Sequence, residues 1–128
     1  MMRYKLLVLF GICSAVLFGQ SLSGNWYGTL DVMGQKLPLV LHLTDSMGTW
    51  QGTLDSPKQN AFGIPMSSIE VNGKNLAFTI DKLHASYQGT LSESLVIKGD
   101  FKQSGFKAAL DFNQQGIPQQ EAEYLRAS

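Results

Sequence analysis

Apolar and polar residues alternate along most of this 128-residue chain with the period of a β-strand, in which residues two apart share a face. Leu37, Leu39, Leu41 and Leu43 fall on one side of a predicted strand, opposite Lys36, Val40, His42 and Thr44. Leu76, Phe78 and Ile80 oppose Ala77 and Thr79 in the same way, and Phe106, Ala108, Leu110 and Phe112 oppose Lys107, Ala109 and Asp111. Superimposed on the alternation is a repeat. Gly24-Asn25-Trp26-Tyr27-Gly28-Thr29-Leu30 is echoed closely by Trp50-Gln51-Gly52-Thr53-Leu54 and Tyr87-Gln88-Gly89-Thr90-Leu91, and loosely by Ile97-Lys98-Gly99-Asp100-Phe101. Each copy places an aromatic or apolar residue, a glycine and another apolar residue on one strand face, so the buried face carries a gap.

Turn signals separate the strands. Ser46-Met47-Gly48 predicts a three-residue hairpin loop, Asn72-Gly73 a tight type I′ turn, Ser92-Glu93-Ser94 a turn and Ser104-Gly105 a last hairpin. Ser56 to Met66, with Pro57, Gly63 and Pro65 as breakers, reads as the longest irregular stretch. No helical period of useful length follows residue 20. About eight strands joined mainly by hairpins predict an all-β antiparallel barrel or sandwich. The inward glycines favour the barrel, because strands need bends to coil round and close. An eight-stranded barrel can be filled by its own side chains or hold one small ligand.

The chain ends change this picture only at its margins. Arg3 and Lys5, the apolar run from Leu6 to Phe18 and Gly19-Gln20 read as a signal peptide over residues 1–20, too short for a bilayer span. Gly11-Ile12-Cys13 puts a bulky residue where a lipoprotein signal needs a small one. Residues 21–112 form the expected barrel domain, and 113–128, polar and broken by Gly116 and Pro118, a tail or truncated linker. The expected location is therefore exported, periplasmic or extracellular, with no stable membrane span after cleavage. Cleavage would remove Cys13, the single cysteine, and leave ten acidic against eight basic residues, a net charge of −2. No disulfide, thiolate chemistry or basic surface for nucleic acid remains.

Two groups of residues are candidate sites. Trp26, Trp50, Phe78, Tyr87 and Phe101, with Phe106 and Phe112, point inward beside Gly28, Gly52, Gly89 and Gly99; they either line a pocket for a small apolar ligand or fill the space themselves. Asp55, Ser56 and Gln59 belong to the irregular stretch, where Phe62 and Ile64 could cap an open barrel end, and Gln103 is added from the Gly99 to Gly105 segment. Catalysis has little support. Ser56 precedes a proline rather than forming a nucleophile elbow, and His42 and His84 read as surface histidines without metal-ligand spacing. The carboxylates are scattered, and no phosphate-binding loop opens a helix. A non-catalytic module without metal or cofactor is expected.

At Gly24-x-Trp26 the chain resembles the first-strand motif of lipocalin-like barrels. A longer likeness joins Gly24 to Leu30, Leu37 to Leu43, Gly52-Thr53-Leu54-Asp55-Ser56-Pro57-Lys58-Gln59, Gly63-Ile64-Pro65 and Gly99-Asp100-Phe101-Lys102-Gln103-Ser104-Gly105. Over about residues 23–112 these segments resemble the N-terminal β-domain of secreted bacterial alpha/beta hydrolases of the esterase type, most specifically at Asp-Ser-Pro-x-Gln. The resemblance implies a lipocalin-like barrel and a hydrolase domain as partner. It brings no nucleophile, acid or histidine, because those belong to the hydrolase domain and this sequence stops at Ser128.

Overall fold

A computed structural model describes residues 21–116; the expected signal peptide and residues 117–128 of the expected tail lie outside the described residues. Nine strands follow in order: β1 (Gly24–Val32), β2 (Gln35–Ser46), β3 (Thr49–Ser56), β4 (Ala61–Pro65), β5 (Ser68–Asn72), β6 (Asn75–Ile80), β7 (Ala85–Leu91), β8 (Val96–Gln103) and β9 (Phe106–Asn113). All pairings are antiparallel, in one sheet of order β4-β3-β2-β1-β9-β8-β7-β6-β5. Two 3₁₀ turns, Pro57–Gln59 and Asp81–Leu83, interrupt it, and no α-helix occurs among the described residues.

The all-β antiparallel expectation holds, with two corrections. The ninth strand is β4, which lies inside the stretch predicted to be irregular and pairs with β3 through Thr53↔Pro65, Leu54↔Ile64 and Ser56↔Ala61. The barrel is also open. β4 and β5 are the two ends of the ladder yet are separated by only Met66 and Ser67. The Met66 N–H donates to the Gly52 carbonyl at 3.0 Å and the Ser67 N–H to the Thr79 carbonyl at 2.7 Å, so the chain changes partner from β3 to β6 within one step. β3 and β5 then run near each other without pairing, and the sheet remains a curled half-barrel.

Turn chemistry accounts for most of the connections. Met33-Gly34, Met47-Gly48 and Ser104-Gly105 each have positive φ at both positions, as two-residue type I′ hairpins require. The β2–β3 connection is thus one residue shorter than predicted. Asp31 and Asp45 brace two of these turns by accepting the N–H of Gly34 at 2.8 Å and of Gly48 at 2.9 Å. Lys36, hydrogen-bonded to Asp31, helps hold that carboxyl below its ordinary pKa. At β5–β6 the closing pair is Asn72↔Asn75, which makes Gly73-Lys74 the central pair; only Gly73 has positive φ, the type II′ pattern rather than the predicted Asn72-Gly73 type I′ turn.

The inward faces of the curl form one apolar cluster, with Trp26, Leu41, Leu76, Ile80, Tyr87, Ile97, Leu110 and Phe112 almost fully buried. The glycine gaps are occupied. A Cβ on Gly28 would meet the Asp111 carbonyl and the Phe112 ring, one on Gly52 would meet Met66 Sδ at 2.5 Å, and those on Gly89 and Gly99 would both run into Tyr87. Tyr87 is the central filler: its ring stacks on Phe78 at 5.3 Å, meets Phe112 edge-on at 5.4 Å, and its hydroxyl donates to the Leu110 carbonyl at 2.7 Å.

Burial pushes the Tyr87 phenol well above its ordinary pKa of 10.0, and the charges of Asp111 and Asp100 add to the rise. The folded chain therefore keeps this proton at pH values where the unfolded chain releases it. Stability is expected to be insensitive to this group below about pH 10 and to fall as the pH rises further. Urea titrations across that range check the effect, and Tyr87→Phe should flatten the alkaline loss while lowering stability at neutral pH by about 1 kcal/mol for the missing hydrogen bond.

Candidate functional site

The structure gathers the inward candidates into the core. Trp26 is fully buried and its indole N–H donates to the Leu22 carbonyl at 2.9 Å; Phe78, Tyr87 and Phe101 are buried, and Trp50 is half-buried against the same cluster. Their neighbours are each other and the residues that occupy the glycine gaps.

The Ser56 to Met66 candidates form a corner, not a loose loop. Asp55 and Ser56 end β3 in buried positions, Pro57–Gln59 makes a 3₁₀ turn, and Asn60 adopts the left-handed conformation that lets its N–H reach the Pro57 carbonyl. Ser56 Oγ donates to Gln59 Oε1 at 2.7 Å, so these two act on one another. Gln103 is elsewhere, with its amide donating to the Leu83 carbonyl at the second 3₁₀ turn. Phe62, expected as a cap, is exposed, whereas Ile64 packs on the core.

Asp55 also binds a residue that reads as a surface histidine in the sequence. Its Oδ2 lies 2.7 Å from His42 Nε2, its Oδ1 accepts the Gly63 N–H at 2.7 Å, and His42 Nδ1 lies 2.8 Å from Asn25 Oδ1. His42 is half-buried and bridges β1 to β3, while His84 stays exposed at the left-handed end of the second 3₁₀ turn. The pairing was accessible only through register: Val40↔Asp55 and His42↔Thr53 put the two side chains diagonally across one face. Both ring nitrogens and both carboxylate oxygens are engaged, so the group fastens β4 to the sheet and presents no free base to a substrate.

On the other half of the sheet, β5 to β9, the outward face is polar and hollow. Cross-strand pairing builds it in rows. One row runs Ser68, Thr79, Ser86, Lys102, Lys107, and the next runs Glu70, Ala77, Gln88, Asp100, Ala109. A hollow of about 690 Å³ spans these rows, and a second of about 440 Å³ shares Glu70, Ala77, Gln88 and Asp100 with it, so they form one trough. Phe78 and Tyr87 run through its floor with their rings turned to the core. Among the described residues the ion pairs are Lys36–Asp31 and His42–Asp55, so Glu70, Asp100, Lys102 and Lys107 line the trough without salt-bridge partners. The sequence places Lys107 on a polar strand face and scatters the carboxylates at turns and polar faces, and without the register these residues cannot be aligned into rows.

No protein-family model, curated protein or solved structure matches the chain. The trough therefore stands on its own chemistry. Among the described residues no group of three or more histidine, cysteine, aspartate or glutamate side chains could hold a metal ion, and no helix is long and apolar enough to cross a membrane.

Proposed function

We propose that this chain is an exported, non-catalytic β-module that binds a hydroxyl-rich ligand, such as a glycan segment, in the trough over β5 to β9. The observation that carries this reading is a set of polar side chains converging on a hollow of about 690 Å³, a volume in the range of ligand sites. Glu70, Gln88, Asp100, Lys102 and Lys107 are exposed, the four charged ones have no salt-bridge partner among the described residues, and the half-buried Thr79 hydroxyl is joined to Ser68 Oγ at 2.7 Å. Hydroxyl and amide groups from Thr79, Ser86 and Gln88, flanked by Asp100 and Lys102, supply donors and acceptors at a spacing of one strand. A small apolar ligand in the interior has less support, because Tyr87, Phe112 and Met66 occupy the glycine gaps. Gln88 stands where the two hollows meet. Gln88→Ala is expected to weaken binding of neutral oligosaccharides about tenfold, the equivalent of one lost hydrogen bond. Titration calorimetry on the full chain checks this, and equal binding by the variant would remove the trough from consideration.

A second reading rests on the resemblance to the β-domain of secreted alpha/beta hydrolases: an accessory domain acting beside an esterase. The Asp55 to Gln59 segment favours it, since this most specific part of the resemblance folds as one turned unit. A coding frame that continues into a Gly-x-Ser-x-Gly hydrolase would support it, and so would a change in a hydrolase's activity on adding the purified chain.

A further inference from the structure

The two edges of the sheet differ. β4 carries Gly63 at φ +67° and ends on Pro65, and both interrupt the row of backbone donors that another strand would need. β5 contains neither feature, and its one ladder partner is β6. The hairpin determines which of its groups are used. Asn72 and Asn75 close a two-residue turn, so in the antiparallel alternation Ser68, Glu70 and Asn72 direct their N–H and C=O toward β6, while Ile69 and Val71 direct theirs away. The side chains of Ile69 and Val71 point inward and are half-buried against the core, as are Met66 and, on β3, Trp50. The edge thus combines outward backbone donors and acceptors with an apolar strip beneath them.

We propose that β5 receives an extended segment of a partner protein as an added strand, with alternate apolar residues turned toward Ile69 and Val71 and a lysine or arginine beside Glu70. Strand addition uses this combination of free backbone groups and alternating side-chain contacts. Glu70 sets the charge preference: it is exposed and has no salt-bridge partner among the described residues. Self-pairing in the register that sets Ile69 against Val71 would put Glu70 directly opposite another Glu70, and like charges facing across strands are destabilising.

The test uses the full chain and a short capped peptide that alternates valine with threonine around a central lysine. Bound peptide should slow hydrogen exchange at the Ile69 and Val71 amides. Val71→Pro removes an outward N–H and leaves the β6 ladder intact, so it should fold and weaken binding about tenfold, the loss of one hydrogen bond. Glu70→Lys, which perturbs no ladder bond, should reverse the preference from the lysine peptide to one with a central glutamate. The proposal is overturned if the two amides gain no protection at millimolar peptide, or if Glu70→Lys keeps the original preference. Protection of the same amides in a concentration-dependent dimer without peptide would also overturn it, in favour of self-pairing.

Discussion

Replacing Gly28 by valine is expected to destabilise the fold by about 3 kcal/mol, the upper end of ordinary overpacking penalties. For a domain of this size that corresponds to a melting temperature lower by roughly 12 to 24 °C. The position is sensitive because β1 and β9 pair over only Tyr27↔Asn113 and Gly28↔Phe112, the shortest pairing in the sheet and the one that joins its two halves. A Cβ there would meet the Asp111 backbone carbonyl as well as Phe112 Cδ1 at 2.8 Å, and a carbonyl held in a strand cannot move aside as a side chain can. Gly52→Ala provides the contrast, because its Cβ would meet the flexible end of Met66 and should be tolerated better. Thermal unfolding of both variants checks the ordering. Unchanged stability of Gly28→Val would show that the glycine gap is not needed for the close approach of β1 and β9.

Asp55→Ala is expected to cost about 3 kcal/mol, since it removes two charge-assisted hydrogen bonds from a buried position. Asp55 is 3% exposed, and its two oxygens join His42 on β2 to the Gly63 amide on β4. Without it the corner from Ser56 to Pro65 keeps its ladder pairing to β3 but loses the side-chain link from Gly63 to His42. Asp55→Asn should cost less, because an amide oxygen can still accept the Gly63 N–H. Urea unfolding of the two variants, with hydrogen exchange at the β4 amides, distinguishes a loosened corner from a global loss. Equal stability of Asp55→Ala and the parent chain would mean that the cluster is incidental.

The inward positions of β2, β6 and β9 are legible from alternation alone, because each strand is half-buried and apolar residues recur every second position. The Met47-Gly48 and Ser104-Gly105 hairpins are legible for a similarly local reason, since positive φ restricts which residues can occupy the turn, whereas the Met33-Gly34 turn is not among those predicted and the Asn72-Gly73 turn is shifted by one residue. β4 is not legible: Gly63 and Pro65 look like breakers, and the strand exists because Ala61 to Pro65 folds back on an existing edge of β3. The same long-range step hides the Asp55–His42 contact, whose partners lie on different strands and meet only once the Met47-Gly48 turn sets the register. Val40 follows this logic too. It sits on the polar face by alternation, yet is buried in the part of the sheet where the first 3₁₀ turn contacts β2.

The trough is the feature least visible in the sequence. Glu70, Gln88 and Asp100 are unremarkable polar residues until pairing through Glu70↔Ala77, Ala77↔Gln88 and Gln88↔Asp100 sets them side by side. The aromatic-glycine repeat has the opposite character: obvious in the sequence and structural in its effect, because it lets rings occupy the curl and moves the candidate chemistry to the outer face.

The most direct measurement is an amide chemical-shift titration of the full chain, first with neutral oligosaccharides and then with a small apolar probe. The expected result is that oligosaccharide shifts cluster at Thr79, Ser86, Gln88 and Asp100, and that the apolar probe produces no saturable change. Saturable shifts around Trp26, Trp50 and Phe101 with the apolar probe, and none in the trough with sugar, would contradict an outer polar site and place the ligand inside the curl.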